Sequence, residues 1–130
     1  MSVIDTNVLI YDTFEDLDRH KEARSILNST SEWFVPSVVL IEFIAFLNKC
    51  GLKSRDITSK IQELIEHPKF VLIDIKPEDV LRSLESVKEE RLSTLRLNDK
   101  IILHASKRLR KQLITFDRKL KLQFEKHALL

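Results

Sequence analysis

The segment VIDTNVLI, residues 3–10, places two β-branched residues directly before an acid, two polar residues and a second apolar run. Val3 and Ile4 predict a very short strand, because branched side chains suit a pleated sheet. Residues 7–11 predict a helical turn. The segment LITFD, residues 113–117, repeats the pattern, with a strand over residues 113–116 and a helix from Asp117 to about residue 124. Each segment therefore predicts a strand that ends at an acid and leads into a helix.

Further strands and helices alternate between these two segments. Pro36 suits the start of a helix, Gly51 suits its end, and Ser54 can cap the next helix. Strands that alternate with helices pair in parallel, so the predicted fold class is α/β. Sheets of this kind bind ligands outside the carboxyl ends of their strands. The remaining predicted strands span residues 33–35 and 70–75. Three further helices are predicted at residues 18–27, 36–49 and 54–67. Two more helices start at residue 77 and at residue 98 or 99.

Length and composition exclude several classes of protein. The 130 residues predict a single domain, residues 1–130, with a core of its own. One glycine, Gly51, excludes glycine-rich phosphate loops, and one cysteine, Cys50, points to a reducing, cytoplasmic setting. We expect no membrane span and no signal peptide, since the longest aliphatic run is residues 38–41 and four residues precede Asp5. Residues 100–130 carry nine Lys or Arg against two acids, a balance that attracts phosphates or simply solvates a helix face.

Glu42 lies in the segment SVVLIEFIAFL, residues 37–47, which is apolar on nearly every side. No basic side chain three or four positions away can pair with it on the same helix. A carboxylate that enters an apolar layer needs a partner, because its desolvation is costly. The structural alternative is a surface glutamate on an exposed stripe. Asp5, Asp99 and Asp117 have an alternative too, because an acid at the start of a helix often caps it.

Taken together, the four acids predict a metal site. Two follow strands, one lies on an apolar helix and one opens a helix, so all four could meet in one crevice. Carboxylates that lie close together repel and partly protonate unless a cation joins them. Their hard oxygen atoms suit Mg²⁺ or Mn²⁺. The histidines offer no competing ligand spacing, and we expect them at the surface or the edge of the core: His20, His67, His104 and His127.

The same residues resemble a known family. The segments DTNVLI (residues 5–10), SVVLIEF (residues 37–43), NDKII (residues 98–102) and ITFD (residues 114–117) resemble the PIN domain over essentially the whole chain, and most of all the VapC-type toxin ribonucleases. The resemblance implies an α/β/α sandwich with a central parallel sheet of four to five short strands. It implies a catalytic Mg²⁺ or Mn²⁺ site of Asp5, Glu42, Asp99 and Asp117, supported by Asn7 and Thr115.

The implied activity is metal-dependent endonucleolytic cleavage of RNA, with a homodimer and an antitoxin protein as partners. Basic residues that could contact phosphates are Lys107, Arg108, Arg110, Lys111, Arg118 and Lys119. The chain departs from the family pattern between Asp99 and the last strand, where bulky and basic residues replace a small residue and a glycine, and again just after Asp117. These departures leave the RNA preference and the choice of partner open.

Three other interpretations compete with this one. A catalytically silent PIN-like module that binds RNA or protein would not need all four acids. A response-regulator receiver would use Asp74 after the strand at residues 70–75, but it requires an acidic pair after the first strand and a late Lys-Pro. A phosphatase with Asp5 as the nucleophile requires a second aspartate where this chain has Asn7.

Overall fold

The computed structural model describes residues 2–93, 96–118, 120–122 and 125. The strands are β1 (Ser2–Ile4), β2 (Trp33–Pro36), β3 (Phe70–Ile73) and β4 (Gln112–Ile114). These four short parallel strands form a central sheet in the order β3-β2-β1-β4, with helices packed around it. This confirms the α/β class and the parallel sheet. The helices are α1 (Thr6–Thr13), α2 (His20–Ser29), α3 (Ser37–Lys49), α4 (Ser54–Glu66), α5 (Pro77–Glu89) and α6 (Leu97–Leu109).

The core forms where the sheet meets its helices. Val3 and Ile4 of β1 are fully buried, because β1 lies between β2 and β4. On α3, Val39, Phe43 and Leu47 are buried at successive turns, as expected for one face of a helix. A pair of helices connects each strand to the next, so all four carboxyl ends lie at the same edge of the sheet.

Two strands end earlier than the sequence predicts. In both cases a side chain forms a hydrogen bond with a backbone group just after the end of the strand. After β3, the Asp74 carbonyl accepts a hydrogen bond from Arg108 Nη2 at 3.1 Å. After β4, the Phe116 amide donates to Asn7 Oδ1 at 3.1 Å. These backbone groups are satisfied outside the sheet, so the strands stop at Ile73 and Ile114.

The predicted helix-end signals agree with the structure in part. Gly51 follows the end of α3 with a φ of +86°, as predicted. Pro36 is the last residue of β2 and the N-cap of α3, so the helix begins one residue later than predicted. The predicted cap at Ser54 is wrong. Lys53 holds the N-cap position without a side-chain bond, and Ser54 is the first residue of α4. The Lys53 carbonyl already accepts from the amides of Asp56 and Ile57, which sets the start of the helix one residue earlier.

Helix α6 runs from the carboxyl edge of the sheet back to the amino edge, where the chain enters β4. Its first turn therefore lies at the carboxyl ends of the strands, and its last turn lies about 15 Å away, at a rise of about 1.5 Å per residue. The last predicted helix, from Asp117 to about residue 124, falls partly outside the described residues, although Arg118 and residues 120–122 are helical. In the part of the chain that the structure describes, every helix is too short or too polar to cross a membrane.

Candidate active site

Asp5 lies at the carboxyl end of β1 and is buried, with 5% of its surface exposed. Its Oδ1 accepts a hydrogen bond of 2.7 Å from the Thr6 amide, so it caps α1 as the structural alternative predicted. Its Oδ2 accepts a hydrogen bond of 2.6 Å from Thr115 Oγ1. Burial raises the pKa of Asp5 to about 6, although both hydrogen bonds act in the opposite direction. A carboxylate oxygen has two lone pairs, so each oxygen keeps one for a further ligand.

Thr115 and Asn7 lie next to Asp5. Thr115 directly follows β4, and Asn7 is in the first turn of α1. Thr115 Oγ1 donates its one hydrogen to Asp5 and accepts from Asn7 Nδ2 at 3.2 Å and from the Asp117 amide at 3.0 Å. A hydroxyl has one donor and two acceptor positions, so this oxygen is fully used and its hydrogen points at Asp5. Asn7 Oδ1 accepts the Phe116 amide. The two residues predicted to support the site thus connect β1, α1 and the segment after β4.

Glu42 projects from α3 to the same region. Thr6 Oγ1 donates to its Oε1 at 2.9 Å, and Asn98 at the start of α6 also hydrogen-bonds to it. Partial burial raises the pKa of Glu42, and the negative charge of Asp99 raises it further. Neither Thr6 nor Asn98 was predicted as a site residue from the sequence. Their position directly beside Asp5 and Asp99 was the only available signal.

Asp99 and Asp117 lie on the α6 and β4 sides of the site. Asp99 is the third residue of α6 and does not cap it, because Arg96 holds the N-cap position. Burial raises the pKa of Asp99, Arg96 and Lys100 lower it, and Asp117 raises it. Asp117 Oδ1 accepts the Leu120 amide at 3.2 Å, so Asp117 also bonds to the backbone after it.

The four acids are therefore brought to one edge of the sheet, from β1, α3, α6 and the end of β4. The pKa of Asp5 responds to the charges of Asp99 and Glu42, and the pKa of Asp99 responds to that of Asp117. These carboxylates lie within electrostatic reach of each other. Among the residues that the structure describes, however, no group of three His, Cys, Asp or Glu side chains is arranged closely enough to hold a metal ion directly.

A buried lysine, not predicted from the sequence, lies beside Asp99. Lys100 is 3% exposed, and its Nζ lies 2.6 Å from Glu90 Oε2. Arg96 Nε lies 3.7 Å from Asp99 Oδ2. Lys100, Glu90, Arg96, Asp99 and Asp117 line one small cavity of about 90 Å³. Positive charge thus lies beside Asp99, on the α6 side of the acids.

Most of the basic residues predicted to contact phosphates lie away from the acids. Lys107 and Arg108 are in the last turn of α6, while Arg110 and Lys111 lie between α6 and β4, so all four are at the opposite end of α6 from Asp99. Arg108 is paired with the buried Asp79, which accepts from Arg108 Nε at 3.0 Å and from Nη2 at 3.0 Å. Arg118 follows Asp117 at the site edge. Lys119 lies outside the described residues.

The described histidines make structural contacts, as expected. His20 Nδ1 lies 2.9 Å from the Tyr11 carbonyl, His67 stacks on Trp33 and His104 Nε2 lies 2.8 Å from Ser86 Oγ. His127 lies outside the described residues.

The comparisons agree on the family and the fold. The sequence profile of the PIN domain matches residues 2–124. VapC20 of Mycobacterium tuberculosis, a toxin that cleaves the sarcin–ricin loop, superimposes with a TM-score of 0.79 at 16% identity, over 95% of each chain. A toxin–antitoxin complex from Klebsiella pneumoniae gives a TM-score of 0.65 at 25% identity, over 92% of this chain and 88% of that one.

VapBC2 of Rickettsia felis, bound to a fragment of its promoter DNA, gives a TM-score of 0.68 at 19% identity, over 93% of this chain and 91% of that one. No curated protein matches the sequence.

Proposed function

This chain belongs to the PIN domain family, and from that premise we propose that residues 1–130 form one metal-dependent endoribonuclease domain. The observation that carries the proposal is the convergence of four acids from four separate elements: Asp5, Glu42, Asp99 and Asp117. The pKa values of Asp5, Glu42 and Asp99 are all raised. Groups with shifted pKa values concentrate at functional sites. Burial of like charges destabilises a fold, so such an arrangement is typical of a site where function requires it.

The donor set fits Mg²⁺ or Mn²⁺. All four groups are carboxylates, and Mg²⁺ keeps several waters and takes only one or two carboxylates directly. A hydrated ion of this kind needs only one or two of these carboxylates as direct ligands, and the others can accept hydrogen bonds from its waters. Asp5, Glu42, Asp99 and Asp117 would hold the ion between them. When bound, the ion supplies positive charge for the phosphate oxygens and makes water more acidic.

The residues around the acids prepare them for this role. Thr115 donates its hydrogen to Asp5, and Asn7 fixes Thr115, so the Asp5 carboxylate is held in one orientation. Thr6 does the same for Glu42. Raised pKa values mean that the acids carry protons more readily before a cation arrives. Cation binding therefore releases protons and becomes weaker as the pH falls.

The test is cleavage of a fluorogenic RNA by purified protein with chelator, Mg²⁺ or Mn²⁺. We expect cleavage only with the metal, and a loss of about a hundredfold or more for Asp99→Asn. Asp74→Asn is the matched control. It makes the same change in an exposed aspartate that follows β3, two strands away from β1. Full activity of Asp99→Asn would refute the site. RNA binding without cleavage in any metal would favour the silent module instead.

We further propose that the chain forms a homodimer and binds an antitoxin. Several large apolar side chains lie exposed on α3 and α5, including Ile41 at 65% and Leu81 at 67%. A single exposed apolar residue is ordinary on a protein surface. Two helices that each expose large apolar side chains suit a protein interface. Light scattering of the wild type and of Ile41→Asp and Leu81→Asp tests the dimer, which at least one of these charges should dissociate. Coexpression with the product of a neighbouring short reading frame tests the antitoxin.

A further inference from the structure

A groove follows the open edge of the sheet beside the acids. β4 ends the strand order, and no strand among the described residues pairs with its outer side. Between this edge and α2 lies a groove of about 360 Å³, here called the β4 groove, which is within the size range of ligand sites. The charged residues described along it are Arg19, Glu22, Arg118 and Lys121. Three cations against one acid favour a polyanion.

The β4 groove lies next to the acidic site. Thr115 and Phe116 line it, and Thr115 Oγ1 is 2.6 Å from Asp5 Oδ2. The Phe116 amide is held by Asn7, and the next residue is Asp117. The groove therefore shares Thr115 and Phe116 with the surroundings of Asp5 and Asp117.

An aromatic surface lies in the same groove. The Arg19 guanidinium carbon is 5.1 Å from the centre of the Phe116 ring. Tyr11 supports that ring edge-on, with 5.2 Å between the two centres and 84° between the planes. Single-stranded RNA is recognised by stacking its unpaired bases on aromatic rings and arginine planes, while basic residues contact its phosphates. A duplex does not offer its bases in this way.

We propose that the β4 groove binds the single-stranded RNA segment next to the cleaved phosphate. A base stacks against Phe116 and Arg19, and Arg118 and Lys121 contact the phosphates. Glu22 repels the same phosphates and so weakens binding. This inference rests on the proposed ribonuclease function. It assigns the phosphate contacts to Arg118 and Lys121, and not to the four basic residues at the end of α6: Lys107, Arg108, Arg110 and Lys111.

The experiment measures the affinity of a labelled single-stranded RNA in Mg²⁺, by fluorescence anisotropy, in an Asp99→Asn background that prevents cleavage. Phe116→Leu should weaken binding by about tenfold to a hundredfold, while Phe116→Tyr keeps the ring and the affinity. Arg118→Gln and Lys121→Gln should each reduce the salt dependence of log Kd by about 0.7 for each phosphate that the variant no longer neutralises. Glu22→Gln should tighten binding severalfold, a gain that misfolding does not mimic.

Arg55→Gln is the matched control, because Arg55 is exposed on α4 and does not line the groove. Affinities of the groove variants equal to that of Arg55→Gln would overturn the proposal while RNA cleavage by the wild type stands. Equal affinity for a duplex of the same sequence would also overturn it. If the wild type neither binds nor cleaves RNA, the ribonuclease function itself fails, and the groove proposal with it.

Discussion

Replacing Asp5 by asparagine should remove a large part of the pH dependence of stability. The folded protein raises the pKa of Asp5 from 3.8 to about 6, mainly by burial. A group with a raised pKa in the folded state stabilises the fold below its unfolded pKa and loses this contribution as pH rises through the folded value. The wild type should therefore become less stable between about pH 4 and about pH 6, and Asp5→Asn should lack this part of the loss.

The magnitude follows from the size of this pKa change. About two pKa units at 1.36 kcal/mol each correspond to about 3 kcal/mol over the whole window. A second effect opposes the gain. The asparagine amide nitrogen must face either the Thr6 amide or Thr115 Oγ1, which both donate to Asp5, so one hydrogen bond is broken at a cost of about 1–3 kcal/mol. This cost does not depend on pH, so the two effects separate.

The assay is urea unfolding in chelator at several pH values between about 4 and 7, followed by the fluorescence of Trp33, the single tryptophan, which is buried. The quantity is the difference in unfolding free energy between wild type and Asp5→Asn. It should shift by about 2–3 kcal/mol in favour of the variant as pH rises across this range. The exposed Asp16, changed to asparagine, is the control and should follow the wild type. A difference that stays constant with pH would refute the burial of a titrating carboxyl at Asp5.

Arg108→Ala should cost about 3–5 kcal/mol in the free energy of unfolding, because it leaves the Asp79 carboxylate, 1% exposed, without its charged partner. The exposed Arg82→Ala should change it by less than about 0.5 kcal/mol, and an equal effect of both variants would contradict the buried pair. Mn²⁺ at about a hundredfold excess over its Kd should stabilise the wild type by about 2.7 kcal/mol in a thermal melt and stabilise Asp99→Asn much less. The same rise in both proteins would remove Asp99 from the ligand set.

Local sequence determined the elements of this fold and where they change direction. The alternation of short apolar runs with helical spacing predicts the strands and helices to within a few residues, because neighbours along the chain decide these conformations. Pro36 and Gly51 act through their own backbone geometry, so their effect on α3 was predictable. Ser54 was not, since a side chain able to cap a helix does so only when the backbone turns at that residue.

The tertiary structure decided which side chains meet. Thr115 donates to Asp5 across 110 residues of sequence, and nothing local to either residue specifies the contact. The placement of β4 beside β1 brings them together. The direction of α6 has the opposite effect on the basic residues, because it places Asp99 at the site and Arg108 at the other end of the helix. Sequence thus supplied the residue types, while strand order and helix direction set their distances, on which charge interactions and hydrogen bonds depend.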